Sequence, residues 1–105
     1  MTSLAEIGFV ALSSALLAIG LFGILTRRNF ILLLIAIEIA MNAAILNFIY
    51  FAAFSTGTAG LTGQAIAVVV IGFAATEVAV GLGIVLALNR VKGTINVARA
   101  TELKL

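Results

Sequence analysis

Three long runs with almost no charge govern what this chain can fold into. From Leu4 to Leu25 the only charged residue is Glu6, from Phe30 to Phe54 it is Glu38, and from Ala65 to Asn89 it is Glu77. At about 1.5 Å of rise per helical residue, each run can cross a bilayer core of about 30 Å. The chain has 105 residues, of which 64% are hydrophobic and 10% charged. A soluble domain is about 45–50% apolar and about 25% charged. A chain this short has too little interior to hide so much apolar surface from water, and one so apolar does not stay disordered. The expected fold is therefore all-α and integral to the membrane. It has three transmembrane helices, at about 4–25, 30–54 and 65–89, in a single unit covering 1–105. The small, polar, glycine-rich stretch 55–64 reads as a turn, and the segment after Arg90 as a polar, basic tail. The first run lacks a basic leader and carries Glu6 where a signal peptide has Lys or Arg, so it reads as a retained span.

The basic residues supply an orientation. Arg27 and Arg28 lie between the first and second runs, and Arg90, Lys92, Arg99 and Lys104 follow the third. The second loop and the N-terminus have none. The positive-inside rule then places the first loop and the C-terminus in the cytoplasm and the N-terminus outside. Six basic residues at the ends of apolar runs do not make a phosphate-tracking surface, so the expected partner is the lipid bilayer and not nucleic acid.

Cysteine and histidine are absent. Their absence excludes thiolate nucleophiles, Cys/His metal sites, iron–sulfur ligation and a Ser/His/Asp triad. No metal and no cofactor is expected in this chain, and the chain alone is not expected to be a catalyst.

Glu38 and Glu77 are the informative residues. A charged side chain near the bilayer centre costs about 2.5–3.5 kcal/mol on insertion scales. Nothing about folding a span requires it. Glu38 falls about 12 Å from Phe30, and Glu77 about 18 Å from Asn89, so both lie in the middle band of the membrane. No Lys, Arg or His lies within any run, so neither acid has an intramembrane cation in its own chain. A carboxyl group in apolar surroundings resists ionisation and can load and release a proton as those surroundings change. Asn42 is four positions after Glu38 and shares its helix face, where it can hydrogen-bond the carboxyl or hold a water. Gly81, four after Glu77, is expected to leave open space beside that acid. Gly72, Ala75, Thr76, Ala79 and Gly83, about 140–260° round the same helix, are expected to form its packing face. By these depths Glu77 is the leading relay candidate, with the shallower Glu38 second.

The stretches TRRNFILLLIAIEIAMNAAILN (26–47) and GQAIAVVVIGFAATEVAVGLGIVLAL (63–88) resemble the NuoK-type small membrane-arm subunit of respiratory complex I. The likeness rests on the paired arginines, Ile-Glu followed by Met-Asn-Ala, Gly-Gln, Ala-Ala-x-Glu and Ala-Val-Gly-Leu. The resemblance implies a non-redox subunit of a proton-pumping quinone oxidoreductase driven by NADH, ferredoxin or reduced deazaflavin. It also implies that Glu38 and Glu77 belong to a line of charged groups relaying protons through the membrane arm. Arg27 and Arg28 then correspond to the basic loop of that family. Other membrane-arm subunits, antiporter-like ones among them, are the implied partners. Quinone, flavin and iron–sulfur clusters are implied elsewhere in the complex. The implied location is an energy-transducing membrane, a prokaryotic plasma membrane or a thylakoid-type one. Ile45 stands where the family often has asparagine, and Thr76 where alanine is frequent. The small subunit of a multisubunit Na⁺/H⁺ antiporter has a similar layout, and a purely structural linker is the third reading.

Overall fold

The computed structural model of the chain describes residues 3–93 and 95–100. Three helices are long and apolar enough to cross a membrane: α1 (Leu4–Thr26), α2 (Phe30–Phe54) and α3 (Thr58–Lys92). A single turn of helix, α4 (Val97–Ala100), follows. The helix starts have readable causes. Ser3 caps α1 by accepting the Glu6 N–H at 3.1 Å. Asn29 caps α2 by accepting from the N–H groups of Ile31 and Leu32. Such caps satisfy donors that have no partner within the helix. At its far end α3 stops at Gly93, whose φ of 64° is left-handed and suits glycine.

The turn between α2 and α3 is shorter than the composition suggests. It comprises only Ser55, Thr56 and Gly57, and α3 already begins at Thr58. Gly57 has a φ of 69°, which accounts for one glycine. The others serve packing. A Cβ on Gly60 would lie 2.9 Å from the Ser55 carbonyl oxygen, and one on Gly63 would lie 2.7 Å from the Ala52 Cβ. Glycine here admits a neighbouring helix instead of breaking its own.

The helices form a flat layer, with overall extents of 55 × 24 × 16 Å. The thin dimension is close to one helix diameter of about 10–12 Å. In that layer α2 is the middle element, packed on α1 along one side and α3 along the other. Against α1 the contacts run through glycine and alanine. A Cβ on Gly20 would lie 2.7 Å from both the Ala40 nitrogen and its Cβ, and one on Gly23 would lie 2.6 Å from the Ala36 Cβ. Further along, the Phe9 and Tyr50 rings stack with centroids 4.5 Å apart. Small residues at helix contacts let backbones approach closely, which is how helices associate where lipid supplies no hydrophobic drive.

The buried apolar residues are mostly alanine: Ala36, Ala43, Ala52, Ala67 and Ala74, joined by Ile45, Tyr50 and Val85. Large side chains such as Phe22, Phe54, Phe73 and Leu86 face outward. That inversion suits a chain whose surroundings are lipid or other apolar surfaces. Hydroxyls along the helices turn back to carbonyls one turn earlier: Ser13 to Val10, Thr26 to Phe22, Ser55 to Phe51, Thr62 to Thr58 and Thr76 to Phe73. Each is thereby satisfied without water.

The tail folds back onto the first loop. The Phe30 N–H donates to the Ile95 carbonyl at 2.9 Å, and the Val97 N–H to the Arg28 carbonyl at 2.6 Å. Asn29 and Asn96 thus form an isolated antiparallel bridge. The first loop and the tail therefore lie at the same end of the layer.

Candidate functional site

The seam between α2 and α3 sets the relation of the two acids. Leu34 lies against Gly81 at one point and Ala52 against Gly63 at another. Eighteen residues separate the two points on α2 and eighteen separate them on α3, so the antiparallel register is constant. Four steps along α2 from Leu34 reach Glu38, and four steps along α3 from Gly81 reach Glu77. The two residues are therefore level in the helix register, about 12 Å along α2 from Phe30. The unequal depths expected from the span ends do not hold. Those ends were the wrong ruler, because α3 overshoots the start of α2 and runs on to Lys92.

At that shared level the two acids have different surroundings. Glu38 is half-buried and Asn42 exposed, and both line a cavity of about 440 Å³ between α2 and α3. Its far wall is Ile71, Ala74, Ala75 and Val78. The i, i+4 spacing had placed Asn42 beside Glu38, and the two do share this cavity. Glu77 is exposed and is not on that wall. At 100° per residue it lies roughly 110° round α3 from the centre of the four wall residues, on the other flank of the stripe that touches α2.

Two packing expectations for α3 are corrected. Gly81 does not leave open space beside Glu77, because a Cβ there would meet Leu34 Cδ2 at 2.5 Å. The small-residue side is not the contact side within this chain. Gly72 and Gly83 have nothing within 4 Å of a Cβ, and Ala75, Thr76 and Ala79 are exposed. The stripe that packs on α2 contains Ala67, Ala74, Gly81 and Val85 instead. Small side chains occur all round α3, so composition alone could not say which side α2 takes. The Thr76 hydroxyl proton is committed to Phe73 and is not available to Glu77.

Arg27 and Arg28 sit at the end of the layer, both exposed, about 15 Å along the helix direction from Glu38. They are not brought to the acids. Together with Asn29 and Asn96 they line a separate cavity of about 380 Å³.

Asn47 is a residue whose setting the sequence reading did not anticipate. Its Oδ1 is buried without a hydrogen-bond partner. It lines a cavity of about 200 Å³ between α1 and α2, with Ser13 and Ser14 opposite. The signal was two adjacent serines on the first span and an asparagine on the second, but only the α1–α2 register makes them neighbours. Among the described residues, no group of three or more His, Cys, Asp or Glu could hold a metal.

A thin layer of three membrane-crossing helices, apolar on its outer surface and carrying two acids level with each other, defines a small integral-membrane subunit. The family described as NADH-ubiquinone/plastoquinone oxidoreductase chain 4L matches residues 8–105. NADH-quinone oxidoreductase subunit K 2 of Solibacter usitatus is 43% identical over 104 residues, 99% of each chain. Subunit K 1 of Syntrophobacter fumaroxidans is 44% identical over 96 residues, covering 91% of this chain and 93% of its own. Subunit K of Thermomicrobium roseum is 41% identical over 104 residues, again 99% of each. The chain belongs to this chain 4L, or subunit K, family of NADH-quinone oxidoreductase.

Proposed function

We propose that this chain is a small membrane-arm subunit of a proton-translocating NADH–quinone oxidoreductase, and that Glu38 and Glu77 pass protons or charge between the subunits flanking it. The observation that carries the reading is the placement of the two acids. They are level across the α2–α3 seam, yet they open to opposite flanks of the α3 contact stripe. A relay between neighbours needs such an arrangement, with one group reachable from each side at one depth.

Glu38 has its surroundings supplied by this chain. Its cavity has room for water, and Asn42 offers both a donor and an acceptor to orient it. Glu77 has an exposed carboxyl that a neighbouring subunit would cover. The counter-charges come from those neighbours, antiporter-like subunits among them, since the runs 4–25, 30–54 and 65–89 hold no Lys, Arg or His. Quinone, flavin and iron–sulfur chemistry belongs to other subunits of the complex. The basic first loop and the tail paired with it face the cytoplasm of a prokaryotic plasma membrane, and the N-terminus faces outside.

The test is NADH-driven proton pumping in membrane vesicles carrying Glu38→Gln, Glu77→Gln or both, normalised to assembled complex. Glutamine keeps the shape and removes the titratable proton. The expected result is normal assembly with pumping reduced about tenfold or more in the double variant. Full pumping by the double variant at normal abundance overturns the relay and leaves a structural linker.

A further inference from the structure

We propose that the loop end of the α1–α2 seam is a binding site for one anionic phospholipid, independent of the acid relay. Two adjoining cavities make the case. The first, of about 380 Å³, is polar and lies at the helix ends, where Arg27, Arg28, Asn29 and Asn96 surround it. The second, of about 350 Å³, is an apolar groove between α1 and α2, floored by Gly23 and Ala36 and walled by Phe22, Leu32 and Ile35. Arg27 and Leu32 belong to both, so the polar mouth opens directly into the groove.

The chemistry of each part selects its occupant. Among the described residues, the lining of the mouth holds two arginines and no acid. Guanidinium groups bind phosphate through paired, charge-assisted hydrogen bonds. The backbone donors at the start of α2 are already used, Phe30 by Ile95 and Ile31 and Leu32 by the Asn29 side chain. Anion recognition therefore falls to the arginines and not to the helix terminus. The groove runs about 10 Å from Leu32 to Ile39, along the direction an acyl chain takes in the bilayer. Its walls are open on the surface of this chain, with Phe22 61% and Ile35 50% exposed. One negative head group joined to an apolar chain matches both halves at once. The tail has a part in the site, because its pairing with the loop sets Asn96 beside the arginines.

The test uses the assembled complex in phosphatidylcholine nanodiscs, doped with phosphatidylglycerol that carries a diazirine on one acyl chain. Illumination followed by peptide mapping is expected to label α1 and α2 between residues 19 and 39. Arg27→Gln/Arg28→Gln is expected to reduce that labelling on the order of tenfold, through loss of the charge-assisted contacts. Labelling of the outer face of α3, near Val80 and Leu86, should stay unchanged. A diazirine-bearing phosphatidylcholine should label the groove no more than it labels α3. If the glutamine variant does not assemble, Arg27→Lys/Arg28→Lys and Ile35→Trp replace it. The lysines keep the charge but lose the paired contact and should reduce the labelling severalfold, and the tryptophan should block it. Equal labelling by both lipids, or labelling indifferent to these substitutions, overturns the proposal. So does an unlabelled groove whose residues cross-link to a neighbouring subunit instead.

Discussion

A Cβ placed on Gly20, in the α1–α2 seam, would strike the main chain of Ala40; one placed on Gly81, in the α2–α3 seam, would strike only the tip of Leu34. The first seam is closed by backbone against backbone and by the Phe9–Tyr50 stack. The second is close-packed at its turn end, through Gly60 and Gly63, but at Gly81 it is closed by a side chain that can turn, and at that end lies the cavity holding Glu38 and Asn42. Both seams use small residues and both leave space, but only the α2–α3 seam leaves it next to an acid. In the proposed relay, the first seam anchors the chain and the second carries the protons.

The comparison is tested hardest at Glu38. Because the two acids are level, greater depth no longer singles out Glu77. Glu38 is the acid that this chain places in a cavity of its own, with Asn42 beside it, so Glu38→Gln is expected to show the largest single effect. Pumping per assembled complex should fall about tenfold or more, the scale of a lost proton-transfer group. Glu77→Gln should fall severalfold, to an extent set by what the neighbouring subunit offers. Measured pumping in vesicles decides the order, and a larger loss at Glu77 would move the organised end of the relay to the neighbour's side.

Much of this was legible beforehand. Hydropathy marked three spans, because a bilayer requires long apolar runs; lone charges singled out Glu38 and Glu77, whose role is the proposal. Asn42 was found by helix periodicity alone. What escaped depended on a second helix. Gly60 and Gly63 read as turn residues until Ala52 and Ser55 lie against them. The level of Glu77 was misjudged because span ends do not determine how far α3 slides along α2. Asn47, whose Oδ1 has no partner, faces Ser13 and Ser14 only once α1 and α2 are packed. Register is a property of two sequences packed together, and neither carries it alone.

A pair of identical changes sharpens the contrast between the seams. Gly20→Ala forces backbones apart and should destabilise the chain by about 1–3 kcal/mol, in the range of overpacking. Gly81→Ala meets a flexible leucine tip, and replacing a helical glycine by alanine contributes about 1 kcal/mol in the other direction. Its net effect should lie within about 1 kcal/mol of zero. Complex abundance and resistance to detergent or heat would read both. Equal losses at the two sites would show that the α2–α3 seam is as unyielding as its counterpart.

Asn47→Leu should have the smallest effect on pumping and bears on whether the α1–α2 seam is only an anchor. Leucine fits the side-chain volume and removes an acceptor that is buried without a partner. An unsatisfied group of this kind costs about 1–3 kcal/mol, so the variant should be as stable as the parent or more so. If Ser13, Ser14 and Asn47 merely border a cavity, pumping should change less than about twofold, as for a surface-like substitution away from the reacting groups. A loss comparable to that of Glu38→Gln, in a stable assembled complex, would mean that the 200 Å³ cavity holds water the relay uses. In that case the proton-carrying region would extend across both faces of α2, and the contrast between the two seams would fail.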